Sequence, residues 1–277
     1  MSQVLQYTTV PITAYDKDGS SYSIATGTLF SLPVSEKTGY PFLVTNRHVL
    51  QDAGKIRLTF TEGKDGDPII GSRIDIVISD IQDWVTYHPN NLIDVAALPI
   101  SNAMERVRKD GKDLCTRSIS TNMIPGEEML KEFNAIEDII FIGYPVGIWD
   151  KKNLLPVFRR GITATSLFVD FDGNPIFLID ASVFPGSSGS PVFFYQHGFH
   201  VDREGNTKLI TNRAHFLGIV AACYLDPASL SESLLTSAAK TDRGQYGQPA
   251  NLGIVYKAST IVDTVKCAVE KFKPANQ

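Results

Sequence analysis

The chain has 277 residues, 26 Lys and Arg against 30 Asp and Glu for a net charge of −4, and 43% hydrophobic residues. That balance excludes a disordered polyelectrolyte and offers no basic surface for nucleic acid, while the length suffices for one large domain or two modules with a substantial core. No run reaches the roughly 20 apolar residues that span a bilayer, and the first residues lack the basic and apolar segments of a secretion signal, so a cytoplasmic protein without membrane contact is expected.

Short β signals separated by turns dominate the chain. The first half offers candidate strands at 8–14, 22–32, 42–45, 56–60, 74–78, 85–88 and 95–100. The second half offers 139–143, 160–168, 176–180, 191–195, 216–224 and 253–257. Such spacing suits Greek-key barrels. Residues 101–138 break the rhythm with polar and charged sequence and a short helix expected at 127–133, and they read as a connection. Residues 226–250 have little periodicity and read as a mobile loop beside the cleft. At the end, Ser259 or Thr260 can cap a helix whose apolar side carries Ile261, Val262, Val265, Val269 and Phe272. The expected organisation is a first module at 1–102, a connection at 103–138 and a second module with the terminal helix at 139–277.

Cys115, Cys223 and Cys267 are odd in number and lack metal-ligand spacing, which predicts free thiols and no bound metal. Cys115 falls in a charged loop and is expected to be exposed; Cys267 falls on the terminal helix and is expected to be packed.

Three segments carry chemistry. In Gly186-Ser187-Ser188-Gly189-Ser190-Pro191, two glycines allow a tight turn that exposes a serine hydroxyl and aims backbone N–H groups at a developing oxyanion. In Thr45-Asn46-Arg47-His48-Val49, an apolar strand ends in a polar step that presents a histidine able to take a proton from a serine and return it to a leaving amine. In Asp94-Val95-Ala96-Ala97-Leu98, an acid is set directly in an apolar run. A carboxylate there needs a donor, either backbone amides or the second nitrogen of His48.

Together these motifs resemble trypsin-like serine proteases of the chymotrypsin fold, and within that group the bacterial HtrA and glutamyl-endopeptidase types. The order His48, Asp94, Ser188 is the order of that fold; α/β-hydrolases run Ser, acid, His and subtilisins Asp, His, Ser. Weaker likenesses flank the three: Thr26-Gly27-Thr28-Leu29-Phe30 before the histidine, Gly143-Tyr144-Pro145-Val146-Gly147 opening the second barrel, and 217–222 and 252–256 as strands walling a pocket. The resemblance implies an all-β fold of two six-stranded Greek-key barrels with a C-terminal helix. It implies a serine endopeptidase acting on protein or peptide substrates without a cofactor. His48, Asp94 and Ser188 would form the triad, and the N–H groups of Gly186 and Ser188 the oxyanion hole.

By the same resemblance Ser182 and Val183 lie at the pocket floor, Ala221, Ala222, Cys223 and Gly253 lie on its walls, and the edge of the 218–223 strand pairs with substrate backbone. None of these residues is charged, and Val220 stands where glutamyl-specific relatives carry histidine, so a small or medium uncharged side chain is expected before the cut bond. The chain also departs from the family. Ser187 replaces the aspartate that binds a newly cut amino terminus in digestive enzymes, which argues against zymogen cleavage and for ordering by the loops or by an activating protein partner. No PDZ-like module is expected after the second barrel, unlike in typical HtrA proteins. The alternative reading is a catalytically silent peptide-binding or regulatory subunit of the same fold. An α/β-hydrolase esterase is disfavoured, because its elbow needs glycine where Ser190 stands.

Overall fold

A computed structural model describes residues 2–33, 39–201, 205, 207–225 and 249–272. Most of the loop expected at 226–250 therefore lies outside the described residues. The first half builds a nine-stranded sheet from β1 (Thr9–Tyr15), β2 (Ser21–Pro33), β3 (Gly39–Thr45), β4 (Lys55–Lys64), β5 (Asp67–Ser79), β6 (Thr86–Tyr87), β7 (Ala96–Pro99), β8 (Asp113–Leu114) and β9 (Ile119–Ser120). Its path runs β5-β4-β1-β2-β3-β7-β6, with β8 on β4 and β9 on β2. The second half is a closed six-stranded barrel, β10 (Asp138–Gly143), β11 (Val157–Thr163), β12 (Ile176–Asp180), β15 (Pro249–Lys257), β14 (Thr207–Leu225) and β13 (Pro191–Val201) in spatial order. The helices are α1 (Ser2–Leu5), α2 (Arg47–Leu50), α3 (Ile81–Trp84), α4 (Ser101–Lys109), α5 (Glu127–Glu132) and α6 (Ala258–Phe272).

Apolar runs such as Phe42-Leu43-Val44 and Val192-Phe193-Phe194 are continuous because both faces of their strands are buried. Successive side chains point to opposite faces. Leu43 joins a cluster with Ile12, Leu29 and Leu58 inside the first sheet, while Phe42 and Val44 turn outward. Val192 and Phe194 fill the second barrel with Phe141 and Phe177, and Phe193 turns outward. The outward sets meet in one cluster between the halves, where the rings of Phe30 and Phe216 lie 6.2 Å apart. Helix α6 closes this interface with Ala258, Ile261, Val265 and Ala268. Its far end reaches the first half, where Lys271 Nζ donates to Val85 O at 2.9 Å and Trp84 stacks on Phe272.

Three details differ from the sequence reading. The connection contains α4, whose Ala103, Met104 and Val107 pack on the first-sheet core; its charged residues hide that stripe. Thr260 does not cap α6 but sits inside its first turn, its hydroxyl donating to Lys257 O at 2.8 Å. Cys115 is buried rather than exposed, because its N–H donates to Thr61 O and holds it against β4; burial pushes its thiol pKa up. Among the described residues no helix is long and apolar enough to cross a membrane.

Candidate active site

The site lies where the two halves meet. Strand β3 ends at Thr45, and the single turn of α2 is pinned by Val49 and Leu50, both fully buried, so that His48 on the same turn has a fixed backbone. Asp94 approaches on the loop before β7. Its Oδ1 accepts the His48 backbone N–H at 2.9 Å and its Oδ2 lies 2.6 Å from His48 Nδ1. One carboxylate thus fixes both the main chain and the ring. The Asp94 loop is itself tied down: Asn46 Nδ2 donates to Asp94 O at 2.8 Å, and Tyr256 Oη reaches across from the second barrel to Leu92 O at 3.3 Å. The Arg47 guanidinium lies over the Tyr87 ring and donates to His88 O at 3.1 Å, bracing the start of that loop. Burial pushes the Tyr256 phenol above its ordinary pKa.

On the other face of the imidazole, Nε2 lies 3.2 Å from Ser188 Oγ. The serine hydroxyl also lies 3.0 Å from Ala221 O. Ala221 falls in a register break of the β14–β15 ladder, between the pairs Val220–Val255 and Ala222–Ile254, which is how a bulge re-aims a carbonyl.

The turn carrying Ser188 is held by short local bonds, Ser187 N–H to Phe184 O at 2.9 Å and Ser190 N–H to Ser187 O at 3.0 Å. Gly189 N–H donates to Val220 O at 2.8 Å. The N–H groups of Gly186 and Ser188 make no hydrogen bond to a described residue and remain available. Gly186 has φ +91° and Gly189 φ +83°, and side chains would collide at both: a Cβ would stand 2.4 Å from Tyr144 O at Gly186 and 2.0 Å from Thr26 O at Gly189.

Sequence reasoning missed what grips this turn. Thr26 and Thr28, both fully buried on β2, reach it from the other half of the molecule. Thr26 N–H donates to Ser188 O at 2.9 Å, Thr26 Oγ to Gly186 O at 2.9 Å and Thr28 Oγ to Gly189 O at 2.7 Å. Thr26 Oγ also accepts from Tyr144 N–H and lies 3.2 Å from Ser190 Oγ, so its hydrogen-bonding capacity is filled. The available signal was the pair of hydroxyls at alternate positions 26 and 28, set between Ile24-Ala25 and Leu29-Phe30.

The predicted pocket residues are placed as follows. Ser182 is exposed and Val183 is buried, its Cγ2 2.6 Å from where a Gly253 Cβ would stand. Gly253 pairs with Cys223 and Ala222 with Ile254; the side chains of Ala222 and Cys223 lie outside the described part. The strand edge expected at 218–223 is narrower than that, because Gly218 and Ile219 pair with β13 and Val220 bonds the serine turn. Only 221–223 remains open beside Ser188 among the described residues. Arg159 on β11 donates to Ser182 O at 2.6 Å from between the Phe141 and Phe184 rings.

Residues 25–201 match the family profile of the trypsin-like peptidase domain. The chain belongs to the trypsin-like peptidase family. Similar solved structures include HL collagenase, at 12% identity and TM-score 0.52 over 96% of this chain and 94% of that one. Others are the MamO protease domain from Magnetospirillum magneticum, at 10% identity and TM-score 0.47 over 95% and 97%, and the active form of the Rv3671c protease from M. tuberculosis, at 15% identity and TM-score 0.46 over 99% and 84%. The collagenase likeness is one of fold. No curated protein sequence matches the chain.

Proposed function

We propose that this trypsin-like peptidase is a serine endopeptidase that cuts peptide bonds through an acyl-enzyme on Ser188. The observation that carries the reading is the double engagement of one imidazole, His48 Nδ1 at 2.6 Å from Asp94 and Nε2 at 3.2 Å from Ser188. Asp94 holds the ring in the tautomer that leaves Nε2 free to accept a proton and stabilises the imidazolium that results. As Ser188 Oγ attacks the carbonyl, its proton passes to Nε2 and the oxyanion is met by the N–H groups of Gly186 and Ser188. His48 then gives the proton to the departing amine, and water repeats the sequence on the ester. The substrate segment before the cut bond would add as a strand to the open 221–223 edge.

Ser182, Val183, Ala221, Ala222, Cys223 and Gly253 supply no charge for the primary pocket, while the guanidinium of Arg159 sits on the Ser182 carbonyl. That favours small or medium uncharged side chains before the cut and opposes Lys and Arg, whose desolvation would go uncompensated. A fluorophosphonate probe tests the mechanism. It should modify Ser188 alone, as read by intact mass and peptide mapping. A folded sample that resists labelling, with and without candidate protein partners, would favour a silent peptide-binding module.

A further inference from the structure

Three aliphatic side chains stand exposed on the flank of Ser188 away from the open strand edge. Ile148 is 63% exposed, Val146 61% and Ile24 47%, and none of them belongs to a core cluster. They are neighbours. The 3-10 turn Pro145–Gly147 rests on β2, and a Cβ on Gly147 would stand 3.3 Å from Ile24 Cδ1. They are also joined to the nucleophile turn on both sides. Val146 N–H donates to Pro185 O at 2.5 Å, next to Gly186, and Ile24 lies two residues before Thr26, whose N–H holds Ser188 O.

Val146 has φ 51° and ψ 25°, a left-handed conformation that is a true outlier for a β-branched residue. Glycine would suit that position better, as it does at Gly147, where φ is 67°. A branched apolar side chain is thus held in an unfavourable backbone and pointed at water, beside the reacting serine. Such outliers persist where the surroundings over-determine them, and they cluster at ligand contacts.

The position says which part of a substrate would meet these side chains. The peptide before the cut bond occupies the 221–223 edge, beside Ala221 O. The chain beyond the cut bond then leaves over Gly186 toward the Pro145–Gly147 turn and β2. We propose that Ile24, Val146 and Ile148 form an apolar subsite for the leaving-group side of the substrate, taking a bulky aliphatic or aromatic side chain at the first residue after the cut. The inference rests on the serine peptidase reading above and names a substrate preference for that site.

Acyl-enzyme partitioning tests it without involving the primary pocket. An acetyl-alanine nitrophenyl ester acylates Ser188, and an added amino-acid amide then competes with water for the ester. The amine nitrogen bonds to the acyl carbon, the bond from that carbon to Ser188 Oγ breaks, and one amine proton passes through His48 back to Oγ. The incoming amine occupies the place of the leaving group. Leucinamide and phenylalaninamide should intercept the acyl-enzyme on the order of tenfold better than glycinamide, the scale set by one apolar side chain in a partly formed pocket. Ile148→Ser and Val146→Gly should bring that ratio toward one, with thermal melts confirming that both fold.

Ester turnover with equal interception by all three amides would overturn the subsite and leave the peptidase reading standing. Absence of both ester turnover and fluorophosphonate labelling would overturn the peptidase reading, and the subsite with it. Equal interception together with a change in sedimentation for Ile148→Ser would reassign the patch to contact between copies of the chain.

Discussion

Thr26→Val removes one hydroxyl and keeps the shape of the side chain, and it should damage the site more than its distance along the sequence suggests. The Thr26 hydroxyl donates to Gly186 O at 2.9 Å and accepts from Tyr144 N–H at 3.2 Å; neither group has another partner among the described residues. Valine leaves both buried and unpaired. At about 1–3 kcal/mol for each unsatisfied buried group, the loss should be about 2–6 kcal/mol. Thr28→Val strands only Gly189 O, bonded at 2.7 Å, and should lose about 1–3 kcal/mol on the same scale. Urea unfolding of the two variants reads the stability order directly.

Turnover should follow a related order. Removing an oxyanion donor outright costs about 10²–10³ in rate, and Thr26→Val only loosens the carbonyl side of Gly186, the residue whose N–H is one, so about tenfold is expected. Thr28 holds the carbonyl beyond the nucleophile and should matter less. If Thr26→Val melts and turns over like the parent, or if Thr28→Val is the more damaging, the threonine grip does not hold the turn.

Ser188→Ala and His48→Ala should each lower kcat by several orders of magnitude with little further loss when combined, and Asp94→Asn should lower it by about 10⁴; losses that simply multiply in the double variant would count against a concerted unit. Ser187 Oγ is buried with no hydrogen-bond partner among the described residues, so Ser187→Ala should be neutral or stabilising by up to about 1 kcal/mol, and a clear fall in melting temperature would reveal a role for that hydroxyl. His88 is buried, with its Nδ1 3.3 Å from Asn90 O and 3.0 Å from Asn90 N; burial lowers its pKa, the bond to Asn90 O and the Asp263 charge oppose that, and the Arg47 charge adds to it. The unfolded chain therefore takes up this proton before the folded one does, so stability should fall as pH drops below about 6.5, and His88→Gln should flatten that slope in urea midpoints measured at about pH 7.5 and 5.5.

The strands were legible where apolar alternation is strong. Ile176–Asp180 matches its expected bounds, and most others differ only in length. The extension of β13 and β14 beyond the barrel was not, because residues 197–215 mix polar and apolar types without a regular period. Helix α4 was hidden for the converse reason, since only Ala103, Met104 and Val107 of its nine residues touch the core. At the candidate site, the residue types with intrinsic chemistry stood out, but their supports did not. Thr26, Thr28 and Arg159 act through partners more than twenty residues away, and nothing local distinguishes a buried threonine that bonds a distant turn from one that merely fits a strand.

Those supports also explain why the reacting groups can sit on loops and still be held firmly. His48 and Asp94 belong to the first half and Ser188 to the second, so their distances depend on how the halves dock. Docking is fixed by an apolar cluster drawn from both, with Phe30, Val44 and Ala97 against Phe193, Phe216 and Ile219, and by helix α6 crossing over to Val85. Close packing of that kind gives under strain only in discrete steps, and Thr26 transmits it to the nucleophile turn through three bonds within 3.2 Å, to Gly186 O, Ser188 O and Ser190 Oγ. A substitution at the Phe30–Phe216 contact, with no catalytic atom nearby, therefore acts on the His48–Ser188 distance as well as on stability. The interface core and the candidate catalytic geometry are in this sense one construction.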